Sequence, residues 1–288
     1  MKAKTKETLY KNRKAYFFLG SQAVSLIGSS LVQYAIMWTV TLRENSGAVL
    51  ATYMAFSMLP QLIVSLFGGA IADRYSRKNL IMIADGGIAI ATLGLFFILL
   101  SGTTSLIPVY LIAGIRSLGA GFQTPAVSAL LPELCEPEQL MKMNSLNGTV
   151  NAVVTLVTPA AAAALLNFGD LPPVLLVDVV TAAIAILILW KIKVPKRVIA
   201  EEEVHGTMIQ DIVTGIKYAS KSYFLRTMLL WMMLINFLFV PGAVFNVLFT
   251  TRMYGDNYLY LTIAEVVFSA GAIVGGYCWQ YGAALKTR

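Results

Sequence analysis

Long apolar runs broken by short polar interruptions set the pattern of this chain. They lie at about 15 to 42, 48 to 72, 79 to 101, 105 to 130, 144 to 167, 172 to 192, 226 to 250 and 261 to 283. A helix that crosses a bilayer needs about 20 mostly apolar residues, because in hydrocarbon each backbone N–H and C=O must be satisfied within its own segment. Each run meets that length, so the pattern predicts an all-α polytopic membrane protein. The first run follows a Lys-rich start but is too long for a secretory signal, and no small-residue cleavage site closes it. It reads as a retained helix.

Polar side chains inside spanning helices are costly unless they face protein or a wet cavity. In the first run Gln22, Ser25, Ser29 and Gln33 recur every three or four residues and fall on one helix face. The fifth run repeats this with Asn144, Asn147, Asn151, Thr155 and Thr158, and the fourth offers Arg116 and Gln123 about two turns apart. The third and sixth carry only Asp85 with Thr92 and Asp178 with Thr181 on otherwise apolar cylinders. Helices 1, 4 and 5 are therefore expected to line a cavity, and helices 3 and 6 to sit outside. Such residues also join helices by hydrogen bonds worth about 1 kcal/mol or less each.

Arg116 lies too deep for its head to reach either interface, and its insertion costs about 2.5 to 3.5 kcal/mol even on the lenient scale. Backbone carbonyls, the Asn stripe of helix 5 or a carboxylate could offset that cost. The available carboxylates are Asp85, Asp178 and Glu265, each either a fixed ion-pair partner or a carrier of a proton during transport. Pro60, Pro125, Pro159 and Pro241 predict kinks within spans. Gly119 and Gly121, and the GxxxG of Gly271 and Gly275, predict close helix packing.

Composition agrees: 57% of residues are hydrophobic and 13% charged, and the mean hydropathy is +0.71. The net charge of +7 comes from 22 Lys and Arg against 15 Asp and Glu. With the amino terminus inside, only Arg43 and Arg252 fall in outer loops, so the charge marks topology and the basic loops face anionic headgroups, with no nucleic-acid role. Cys135 and Cys278 have no metal-ligand spacing and read as apolar filler, while His205 reads as a solvated loop residue. No cofactor or metal is expected. A membrane enzyme would need a nucleophile, a metal or close-set acid and base groups, and the helices show no HExxH and no paired carboxylates.

The polar turn between the second and third runs, GAIADRYSRK from Gly69 to Lys78, resembles the GxLADRxGRK signature of the major facilitator superfamily, with Ser76 in place of Gly. The segment IRSLGAGFQTPAVSALLPEL at 115 to 134, followed by PEQL, resembles helix 4 of the superfamily's drug-exporter branch, which includes bacterial macrolide efflux proteins. QAVSLIGSS, ADGGIA and AEVVFSAGAIVGG look like that branch too. The helix 5 antiporter motif of the family, GxxxGPxxGG, stands here as VTLVTPAAAA, with Pro159 kept and the glycines replaced.

The resemblance implies two six-helix halves rocking around a midplane site. The chain matches the first half plus two helices of the second, ending where the loop after the eighth helix would begin. The expected division is residues 1–192, a cytoplasmic linker at 193–225, and residues 226–288. Gly69, Asp73, Arg74, Arg77 and Lys78 are the implied cytoplasmic gate, Gly69 by allowing close approach of helix ends. Gln22, Ser29, Gln33, Arg116, Gln123, Asn147, Asn151 and Thr155 are the expected cavity residues, with Tyr34, Met37, Trp38 and Met54 as possible apolar contact surfaces. The implied activity is export of small amphipathic drugs against protons across a bacterial cytoplasmic membrane. Alternatives are a siderophore or other metabolite exporter, and an inactive or regulatory fragment of such a transporter.

Overall fold

Eight helices follow one another in a computed structural model that describes residues 2–44, 46–194, 208–255, 259–268, 270–271 and 274, with the side chains of 2–12, 70, 73, 168, 208–209, 211–212, 216 and 239–248 set aside. They are α1 (Lys2–Glu44), α2 (Gly47–Arg74), α3 (Arg77–Leu100), α4 (Ile107–Leu134), α5 (Pro137–Phe168), α6 (Leu171–Lys191), α7 (Met208–Lys221) and α8 (Tyr223–Tyr254). A further helical segment, α9, covers Leu259–Phe268. His205, Gly275 and Cys278, and the side chains of Asp73 and Pro241, lie outside the described residues.

The apolar runs found the helices, but the helices outlast the runs. α5 begins at Pro137, seven residues before its apolar run, because Pro sits at N1 and Glu138 suits the positive end of the helix dipole. Within the stretch read as a linker, Met208–Lys221 forms α7, with Ile209, Ile212, Val213 and Ile216 at helical spacing in a polar sequence. Ser76 begins α3 as its N-cap at φ −61°, accepting from the Asn79 N–H. The turn therefore needs no glycine at that position.

Five helical stretches among the described residues are long and apolar enough to cross a membrane: Arg13–Glu44, Gly47–Gly69, Arg77–Leu100, Pro137–Asn167 and Leu171–Lys191. α4 is as long as α2 but carries Arg116, Gln123 and Thr124 within its apolar sequence. Its cost is met by position, because α4 packs against α2 on one side and α3 on the other. α6 packs against α1 and α3, and α5 against α1, which gives the order α5, α1, α6, α3, α4, α2 around the bundle. Ile83, Ile90 and Phe97 of α3 recur every seven residues and are exposed, as are the apolar positions Leu187 and Trp190 of α6. These are the lipid-facing stripes of a membrane bundle.

The interior is layered. One apolar cluster joins Val32, Trp38, Leu50, Leu95, Ala113 and Leu175, and a second joins Phe18, Ile81, Leu130, Leu134, Met143 and Leu189. Between them along the helices lie the buried polar residues Gln22, Ser25, Asp85, Thr92, Arg116, Ser117 and Asp178. Two close approaches set this spacing. A Cβ at Gly121 would stand 2.9 Å from Val64 Cβ and 3.0 Å from the Gln61 carbonyl, and one at Gly28 would meet Thr181 and the Asp178 backbone. Gly119 likewise admits Ile88. Near the end of α2 the close approach belongs to Gly68, which faces Pro125 and the Gly121 carbonyl; a Cβ at Gly69 would meet nothing within 4 Å, which corrects the packing role expected of that residue.

Candidate functional site

A cavity of about 350 Å³ opens among α1, α2, α4 and α5. The α1 stripe of Gln22, Ser25, Ser29 and Gln33 lines it in full, opposite Arg116, Ser117 and Gln123 of α4. Asn147 and Asn151 close it from α5. Arg116 is the one charged residue in the lining; the rest of the polar groups are neutral hydroxyls and amides. Such a surface can orient a ligand by hydrogen bonds while apolar contacts from Leu26, Ile36, Ile88 and Val127 hold its body.

Sequence reasoning missed the contribution of α2. Tyr53, Ser57 and Gln61 all line the cavity. Their spacing of four residues was a readable signal, obscured because Tyr counts as apolar in a hydropathy window. Tyr53 donates to the Gln33 carbonyl at 3.2 Å, and the Ser117 hydroxyl accepts from the Gln61 backbone N–H at 2.9 Å, so these groups also tie α2 to α1 and α4.

The α5 stripe is only half used. Thr155 does not line the cavity; its hydroxyl donates to the Asn151 carbonyl at 2.9 Å, and Thr158 does the same to Val154 at 2.6 Å. A threonine one turn past a backbone carbonyl satisfies its hydroxyl proton locally. Tyr34, Met37, Trp38 and Met54 also fall outside the lining: Trp38 is fully buried, with Tyr34 edge-on at 5.9 Å, and all four belong to or pack on the apolar cluster. They are packing residues.

Arg116 finds its counter-ion in Asp178 and its other partners in Thr92 and the Ser29 carbonyl, the last at 3.1 Å. The Asn stripe plays no part. Asp178 accepts from Ser29 at 2.8 Å and from Thr92 at 2.9 Å as well as from Arg116, so a fully buried carboxylate has three donors from three helices. Asp85 lies in the same layer on α3, where its Oδ1 accepts from Ser25 at 2.7 Å and from Gln123 at 2.8 Å. Helices 3 and 6 are peripheral in their lipid faces, yet each sends one carboxylate inward. Glu265 sits apart on α9, half-buried, and does not line the cavity.

The polar turn after α2 is a tie between helix ends. Arg77 donates to the Ala72 carbonyl at 3.1 Å, to the Ala129 carbonyl at 2.6 Å and to Glu133 at 3.0 Å, joining α2, α3 and α4. Lys78 donates to the Trp190 and Ile192 carbonyls, both at 2.8 Å, capping the C-terminus of α6, where the helix dipole favours a cation. Lys14 of α1 reaches the Lys193 carbonyl at 2.9 Å beside it. Arg74 closes α2 as its last residue.

The chain is similar to macrolide efflux protein A of Streptococcus pyogenes, 28% identical over 269 residues that cover 93% of this chain and 66% of that protein. The protein of the same name from Enterococcus faecalis is 27% identical over 78% of this chain and 71% of its own length. The staphyloferrin A transporter of Staphylococcus aureus is 25% identical over 60% of this chain and 44% of its own. The crystal structure of a D-xylose–proton symporter shares the fold, with a TM-score of 0.60 at 14% identity over 92% of this chain and 70% of that one. The profile of the Major Facilitator Superfamily matches residues 18–285, and the chain therefore belongs to that superfamily of multi-pass membrane transporters.

Proposed function

We propose that this chain exports small amphipathic molecules of the macrolide type, driven by the proton gradient, from a bacterial cytoplasm. The observation that carries the reading is the cavity itself, lined by hydroxyls and amides from four helices, with Arg116 as the one charge among its described residues, in a largely apolar bundle. A polyol-rich ring with an apolar body matches it. The names of the relatives support the cargo class, and the concentration of Lys and Arg in alternate loops supports an inner-membrane chain with a cytoplasmic amino terminus. Residues 1–192 act as one half, 193–225 as the linker and 226–288 as the start of the other. Gly69, Asp73, Arg74, Arg77 and Lys78 gate the cytoplasmic side, and Asp85, Asp178 and Glu265 are the carboxylates open to proton coupling.

A siderophore or similar polar metabolite is the second reading, favoured by the similarity to the staphyloferrin A transporter and by Arg116 as the one charge in the lining. Cysteine labelling separates the two. In a chain with Cys135 and Cys278 replaced by Ser, Gln33→Cys stands exposed on the cavity wall and should react with a maleimide. A macrolide should slow that reaction several-fold if it occupies the cavity. Protection by an anionic siderophore alone would favour the second reading, and protection by neither would remove the cavity from cargo binding.

A further inference from the structure

Two carboxylates lie buried in the polar layer, and their surroundings differ in kind. Asp178 has a guanidinium and two hydroxyls on it, and its charge is balanced by Arg116. Asp85 is 2% exposed and has only neutral donors, the Ser25 hydroxyl and the Gln123 amide, both on Oδ1. Its Oδ2 is buried with no hydrogen-bond partner, and among the described residues no Lys or Arg forms an ion pair with it. A buried anion without a cation is not sustained in a medium of low dielectric constant; the group takes up a proton instead.

The geometry points to Asp85, and not its neighbour Asp178, as the proton-binding group of the polar layer, the proton residing on Oδ2. This rests on the proton-driven reading above and assigns its coupling residue. The charged pair of the same layer is Arg116 of α4 with Asp178 of α6; Arg116 is engaged by Asp178, and the negative charge of Asp178 adds to the cost of a second anion at Asp85. Among the described residues that line the adjoining cavity, α1 brings uncharged polar groups, Ser25 among them, and α2 brings Tyr53, whose hydroxyl donates to the Gln33 carbonyl.

The placement gives the proton an effect on the cavity. Ser25 and Gln123 both line it, and both donate to the same Asp85 oxygen, so α1, α3 and α4 are held together by one carboxylate. Ionised Asp85 draws both donors in; a proton on Oδ2 weakens Oδ1 as an acceptor and loosens the two walls. Loading a proton thus relaxes the seam through which α1 and α4 define the cavity.

The test is infrared difference spectroscopy of the purified full chain in lipid nanodiscs, following the carbonyl stretch of protonated carboxyl groups across a pH titration. A titrating band should appear in the wild type, vanish in the isosteric Asp85→Asn, and persist in Asp178→Asn. Because Asp178→Asn strands Arg116 and can fail to fold, the paired variant Arg116→Gln/Asp178→Asn carries the same expectation. Survival of the band in Asp85→Asn, its loss in the Asp178 variants, or a wild type with no such band at any pH would overturn the assignment. The spectrum reads protonation without transport, so a chain that shows the band and exports nothing would refute the export reading and leave this one standing.

Discussion

Arg116→Ala and Asp178→Ala should each destabilise the bundle by about 3–5 kcal/mol, because each leaves a buried charge without its partner. The pair is enclosed by α1, α3, α4 and α6, and the Arg116 head touches Asp178, Thr92 and the Ser29 carbonyl at once. Truncating Arg116 strands the Asp178 carboxylate, which is wholly buried, with only the hydroxyls of Ser29 and Thr92 to stabilise it. Truncating Asp178 strands a guanidinium about halfway along a spanning helix, the costliest place for it. The double variant removes both charges, and its loss should be well below the sum of the two singles. Thermal melting of the three purified variants measures this directly; additive losses would show that the ion pair is not the unit of stability.

Asp73→Asn should reduce export to the level of cells without the protein while leaving insertion intact. Asn keeps the size of Asp and removes only its charge, and the signature that Asp73 belongs to is the implied gate. The neighbouring cations tie helix ends together. Arg77 is held by two carbonyls and Glu133, and Lys78 by the last carbonyls of α6. Their contacts carry the fold, with a charge-assisted hydrogen bond worth about 1.5–3 kcal/mol, so Arg77→Met should lower the melting temperature as well as export. Drug accumulation and melting curves on both variants separate gating from assembly. Full export by Asp73→Asn would remove it from the gate.

Much of the architecture was legible because hydropathy and length constrain a membrane chain so tightly. The α1 stripe was legible for the same reason: Gln22, Ser25, Ser29 and Gln33 share a face and all reach the cavity. The α5 stripe misled because periodicity records a face and not a partner, and Thr155 spends its hydroxyl on its own helix. Arg116 announced that it needed a counter-ion, yet Asp85, Asp178 and Glu265 were equal candidates until packing order set α6 against α1 and α3 and brought Asp178 to it. Gly68 and Gly69 are indistinguishable in sequence; only the approach of Pro125 and Gly121 tells which one is needed. α7 was hidden because a short amphipathic helix carries too few apolar residues to stand out beside spanning runs.

The most direct measurement is the steady-state accumulation of a labelled macrolide in energised bacterial cells expressing this 288-residue chain, with and without a protonophore. The polar cavity and the proton-driven reading together require accumulation to fall severalfold on expression and to be restored by the protonophore. Unchanged accumulation, with the chain shown to be inserted in the membrane, would mean that the cavity described here moves no macrolide and that the chain is an inactive or regulatory piece of such a transporter.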